Sequence, residues 1–84
     1  MGKISKKEFQ RSATNLRAKG LSASDIANMK KIFRGDMDEG TPLTRGINKK
    51  ELDKGVKWMR EHIGQHTLSK SQIDKMEESL RKKL

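Results

Sequence analysis

Apolar residues along this 84-residue chain recur at spacings of three and four, and they do so in four separate stretches. In the first, Phe9, Ala13 and Leu16 fall on one helical face, leaving Lys6, Lys7, Arg11, Arg17 and Lys19 for solvent. The second presents Ile26, Met29, Ile32 and Phe33. The third carries Leu52, Val56, Met59 and Ile63 with Trp58 beside the stripe, and the fourth carries Ile73, Met76 and Leu80. No stretch shows the strict alternation of a half-buried strand. The pattern predicts an all-α fold of four short amphipathic helices, over about 6–19, 23–34, 49–63 and 70–83.

Polar residues at the predicted helix starts agree. The first N–H groups of a helix lack partners, and a Ser or Asn side chain can accept from one while Glu or Gln three residues on reaches back to the cap. Ser5 with Glu8, Ser22 with Asp25, Asn48 with Glu51 and Ser69 with Gln72 have this spacing, Asp25 being expected to close the weakest box because its side chain is short. Each start is also bracketed by an apolar pair: Ile4 and Phe9, Leu21 and Ile26, Ile47 and Leu52, Leu68 and Ile73. Gly20, Gly35 and Gly64 fall where the first three helices are expected to stop.

The two halves match each other. Ile4-Ser5-Lys6-Lys7-Glu8-Phe9 recurs as Ile47-Asn48-Lys49-Lys50-Glu51-Leu52, at an offset of 43. Leu21-Ser22-Ala23-Ser24-Asp25-Ile26 recurs as Leu68-Ser69-Lys70-Ser71-Gln72-Ile73, at an offset of 47. Two helical hairpins, each with one bare apolar face, can bury those faces against each other. The expectation is a single domain over 1–84, with hairpin one at 4–35, a junction loop at 36–47 stiffened by Pro42, and hairpin two at 48–84.

Composition narrows the function. There is no cysteine, which excludes disulfides, thiolate metal sites and thiol catalysis. No run approaches the ~20 apolar residues that span a bilayer, so the expectation is a cytoplasmic protein without membrane insertion. No nucleophile paired with a base and no phosphate-binding glycine loop is evident, which points away from an enzyme. His62 and His66 are four apart, but Gly64 lies between them, so they read as a helix-end and a linker histidine rather than a metal pair.

A formal charge of +9 favours an anionic partner. Six basic residues and one acid lie between Lys3 and Lys19, and Arg81, Lys82 and Lys83 close the chain. Lys6, Lys7, Arg11, Arg17, Lys19, Arg81, Lys82 and Lys83 are therefore the candidate phosphate contacts. No recognition-helix signature and no exposed aromatic platform is expected, so such binding would be indifferent to sequence.

Gly2-Lys3-Ile4-Ser5-Lys6-Lys7-Glu8-Phe9 resembles the second half of an EF-hand loop running into its exit helix, with an isoleucine for a short β bridge and a glutamate four residues later. The segment from Leu21 to Phe33 resembles the helix linking one EF-hand to the next, and Asp36, Asp38, Gly46, Ile47, Glu51 and Leu52 resemble a second loop. The resemblance implies two EF-hand-like hairpins, calcium at Asp36, Asp38 and Glu51, and a partner-binding groove lined by Trp58, Met29, Met59 and Met76. Loop counting argues against the ion. With Glu51 at loop position 12, position 1 is Gly40, position 3 is Pro42 and position 6 is Arg45; only a loop widened to 16 residues joins all three carboxylates. The expectation is thus a calcium-independent EF-hand-like adaptor docking on a protein with an acidic or apolar-helix surface. A nucleic-acid-binding accessory protein is the alternative and a weak calcium sensor the third reading.

Overall fold

The structure, a computed structural model, describes residues 3–38 and 46–84, without the side chain of Asp38. In chain order it contains β1 (Lys3–Ile4), α1 (Lys6–Ala18), α2 (Ala23–Asp38), β2 (Ile47–Asn48), α3 (Lys49–Glu61) and α4 (Lys70–Arg81). The four helices are those the hydrophobic spacing predicts. A small sheet accompanies the helices at Ile4, the residue that the EF-hand resemblance marks for a short β bridge: β1 and β2 pair antiparallel, with Lys3 opposite Asn48 and Ile4 opposite Ile47. Two-residue strands are too short to show any alternation in sequence. Ile4 and Ile47 are positions that the internal repeat equates, so the sheet joins the two halves at corresponding points.

All four capping boxes form. The Asn48 carbonyl oxygen of its side chain accepts from the Glu51 N–H at 2.7 Å, and the Glu51 carboxylate accepts from the Asn48 N–H at 3.0 Å. Ser5 with Glu8 and Ser69 with Gln72 close in the same way. Ser22 and Asp25 also complete both bonds, at 2.9 and 3.1 Å, so the box expected to be weakest is whole. Helix α1 ends as its glycine predicts: Gly20 has φ 103°, and Gly20 and Leu21 donate to the carbonyls of Arg17 and Leu16 at 3.2 and 3.1 Å.

Two predicted helix ends are corrected. Helix α2 does not stop at Gly35 but continues through it to Asp38. Met37, four residues after Phe33, reaches the core and is buried; that burial outweighs the ~1 kcal/mol that glycine costs inside a helix. Helix α3 stops at Glu61, so Ile63 leaves the stripe and is 46% exposed. Beyond α2 the junction predicted around Pro42 lies outside the described residues. The chain re-enters at Gly46, whose N–H donates to the Asp36 carbonyl at 2.9 Å. Gly46 has φ 121°, and a Cβ there would sit 2.9 Å from the Ile4 carbonyl oxygen, so the sheet needs glycine at this point.

The core lies between the hairpins. Helix α4 packs against both α1 and α3, and α2 does the same from the other side. Phe9 of α1 and Phe33 of α2 meet in its middle, ring centroids 6.1 Å apart and tilted by 59°, within the range where edge-to-face pairs attract. Leu16, Met29, Leu52, Met59, Ile73, Met76 and Leu80 fill the rest and are fully buried. Ser12 is the exception, being completely buried with a hydroxyl that makes no hydrogen bond among the described residues. Ser12→Ala removes the desolvated hydroxyl and improves helix propensity, so it is expected to stabilise the fold by about 1 kcal/mol. Thermal unfolding should register this as a rise of about 4–8 °C for a chain of this size; a fall would show that the hydroxyl is satisfied.

Candidate functional site

The predicted partner surface divides. Met29, Met59 and Met76 are each 0% exposed, so the thioethers belong to the core and offer nothing to a docking partner. They fall on the apolar stripes of their helices, and the small core needs them there. Trp58, one position off the α3 stripe, is 39% exposed. The expectation of no exposed aromatic platform is therefore corrected.

The indole is held from one side by the histidines that end α3. The His62 ring stacks on it with centroids 4.3 Å apart and planes 15° apart. His62 Nδ1–H donates back to the Trp58 carbonyl at 2.7 Å, which fixes the stacked ring. His66 lies tilted at 6.3 Å from Trp58. Its Nε2–H donates to the Met59 carbonyl at 2.8 Å and its Nδ1 accepts from the Leu68 N–H at 3.1 Å, so both ring nitrogens are used. The two histidines cap the last carbonyls of α3, which is why that helix ends before Ile63.

Trp58 forms part of the wall of a 590 Å³ groove between α2 and α3. Ile32 and Gly55 supply the apolar part, and Asn28, Lys31, Asp36, Glu51, Lys54, Gln65 and His66 supply polar edges. A second groove of 520 Å³ lies between α1 and α2. Phe9, Ala27 and Met37 form its apolar part, with Gln10, and four cations surround it: Lys6, Lys30, Lys31 and Arg34. No carboxylate lines it among the described residues. Ala27, Lys30, Lys31 and Arg34 follow the spacing of one helical face, and Lys31 borders both grooves.

Lys30, Lys31 and Arg34 did not figure in the sequence prediction, although their spacing was legible; which of the α2 faces meets α1 was not. Residues 3–35 hold nine basic and two acidic residues, a local charge of +7. Both acids, Glu8 and Asp25, are engaged in caps. Lys7, Arg11, Arg17 and Lys19 are exposed along α1 as predicted. The set is nonetheless split: Lys6 joins the α2 lysines, and Lys19 sits at the other end of α1 with Lys82 and Lys83.

Arg81 is a correction to the predicted anion-binding set. Its Nε and Nη2 donate to Glu77 Oε2 at 2.9 and 2.6 Å, and Nη2 also pairs with Asp53. Arg60 adds bonds to Asp74 at 2.6 Å and Glu77 at 2.9 Å. Arg81, opposed by partial burial and helped by Arg60, holds the Glu77 carboxyl below its ordinary value. Arg81 thus ties α4 to α3 instead of standing ready for a ligand. Lys82 is paired with Glu78 at 3.7 Å on an open surface, where such a pair contributes little.

Asp25 joins the two hairpins. It is only 4% exposed, accepts from the Thr67 hydroxyl, and accepts from Gln72 Nε2 at 3.1 Å in addition to its cap bonds. Burial alone would raise its pKa, but the hydrogen bonds from Thr67, Ser22 and Gln72 together hold it below the ordinary carboxylate value. Asp25 and Gln72 are again positions that the repeat equates.

Of the three carboxylates that the EF-hand resemblance assigns to calcium, Asp36 and Glu51 fall among the described side chains. Asp36 and Glu51 border one groove, but Lys31 and Lys54 stand in the same lining. One oxygen of Glu51 serves the Asn48 cap, and no group of three or more metal-binding side chains occurs among the described residues. The side chain of Asp38 lies outside them. No family model, no curated protein and no solved structure matches the chain. Among the described residues no helix is long and apolar enough to cross a membrane.

Proposed function

We propose that this chain is a small non-enzymatic binding module of two EF-hand-like hairpins that works without calcium, and that it docks on nucleic acid through the phosphate backbone. The hairpin reading is supported by the contacts between repeat-equivalent residues, Ile4 with Ile47 and Asp25 with Gln72. The observation that carries the nucleic-acid reading is the α1–α2 groove, where the adjacent Lys30 and Lys31 of α2 stand in the lining beside Lys6 and Arg34. Docking of a protein through the methionines loses its support because those side chains are buried.

Binding of this kind neutralises phosphates and releases counterions, with dissociation constants of about 10⁻⁴ to 10⁻⁶ M at physiological salt. With about two phosphates contacted by Lys30 and Lys31, the plot of log K against log salt should have a slope of about −2. Replacing Lys30 and Lys31 together by Ala should reduce the slope by about 2 and weaken binding alike for every sequence. Titrations of unrelated DNA and RNA oligonucleotides at two salt concentrations test this. Absence of binding at low salt would dispose of the proposal.

A further inference from the structure

The α2–α3 groove lies across Lys31 from the cationic one, and we infer that it is a slot for one unpaired base, with Trp58 as the stacking ring. This rests on the nucleic-acid reading and adds a preference for single strands. Trp58 is solvent-exposed but not loose, because the stacked His62 ring is itself pinned to the Trp58 carbonyl. A ring held in place before binding loses little freedom when a second ring stacks on it. Every base offers a π-face, so an indole of this kind accepts any base once it is unstacked.

The rest of the groove fits the same occupant. At 590 Å³ it lies within the size range of small-molecule sites. Its lining has few apolar elements, namely Ile32, Gly55 and Trp58, against polar edges such as Asn28 and Gln65. That mixture suits a flat ring with hydrogen-bonding edges better than the continuous apolar face of an amphipathic helix. The Glu51 carboxylate, which serves the Asn48 cap, gives the groove wall a negative edge that favours a backbone lying outside it. Lys31, shared with the cationic groove on the other side of α2, holds the backbone where a base can turn inward. In a duplex the base faces are stacked and cannot enter.

The test follows the emission of Trp58, the chain's only tryptophan, while the full chain is titrated with a single-stranded DNA 12-mer and with the corresponding duplex at low salt. The expected result is quenching by the single strand, with binding about tenfold tighter than to the duplex, as one stacked base supplies. Trp58→Ala should remove this advantage and leave duplex affinity unchanged, and Trp58→Phe should retain most of it. Far-UV circular dichroism of both variants checks that they fold. Equal affinity for both forms without an emission change overturns the slot while the phosphate reading stands. No binding to either overturns both. An emission response to an acidic amphipathic peptide but not to the oligonucleotide overturns the slot and assigns the groove to a protein.

Discussion

Gly55→Ala is expected to destabilise the fold by about 1–2 kcal/mol, the cost of forcing an extra methyl into a filled core, although at an ordinary helix position it would stabilise by up to about 1 kcal/mol. The two effects oppose each other, and the geometry decides between them. A Cβ on Gly55 would lie 2.4 Å from Cε1 and 2.6 Å from Cζ of Phe33. That ring cannot step aside: it is 0% exposed and lies against Phe9. Gly55→Val should lose about 3 kcal/mol, which thermal unfolding would show as a fall of about 12–24 °C. Pairing Gly55→Ala with Phe33→Leu tests the cause, because a shared clash gives a coupling energy of about 1 kcal/mol or more between the two sites. A rise in melting temperature for Gly55→Ala alone would show that α3 does not approach α2 this closely.

Loss of Asp25 should be about as damaging. Asp25→Ala removes one half of the capping box on α2, the bond from the Ser22 N–H to the Asp25 carboxylate, worth about 0.5–1.5 kcal/mol, while the Ser22 hydroxyl still accepts from the residue-25 N–H. It also leaves the exposed Thr67 hydroxyl and the half-buried Gln72 amide without an ionised acceptor, where hydrogen bonds to a charged group contribute up to about 1.5–3 kcal/mol and less where water can replace them. A total near 2 kcal/mol is expected from these overlapping terms. Asp25→Asn does not repair it, because an amide presents N–H groups where donors already converge. The same carboxylate sets part of the acid response. Its folded pKa is depressed, so its contribution is fully present above the unfolded value of about 3.9 and is lost as pH falls through the lower folded value. Unfolding free energies measured from neutral pH down to pH 2 should therefore fall less steeply for Asp25→Asn than for the parent chain. Parallel curves would show that Asp25 is not ionised in these bonds.

Helices and caps are legible because each is written within a few residues: Ser69 and Gln72 need only each other and a helix between them. What was not legible depended on distant neighbours. Gly35 looks like a stop until Met37 is seen to enter the core behind it. Met29, Met59 and Met76 looked like a soft binding surface because spacing places a residue on a stripe but does not say how completely the stripe is covered. Trp58 is one position from Met59, and that one step of 100° takes it from the core to the groove. Asp25 was read as a poor cap, since Thr67 and Gln72 lie more than 40 residues away in sequence. For Arg81 the spacing to Glu77, four residues earlier on the same helix, is legible, while Asp53, 28 residues away on α3, is not.

The two-stranded sheet also bears on the order in which the molecule forms. Each cap closes over three residues, while Ile4 must find Ile47 across 43. Closing so long a loop carries an entropic cost that no single contact at the sheet recovers. Helices and hairpins can therefore appear early, and the strands zip only when the two halves already share a core. The same seam is the natural first point of opening, and the amides of the paired Ile4 and Ile47 should exchange with solvent ahead of those in the middle of α3.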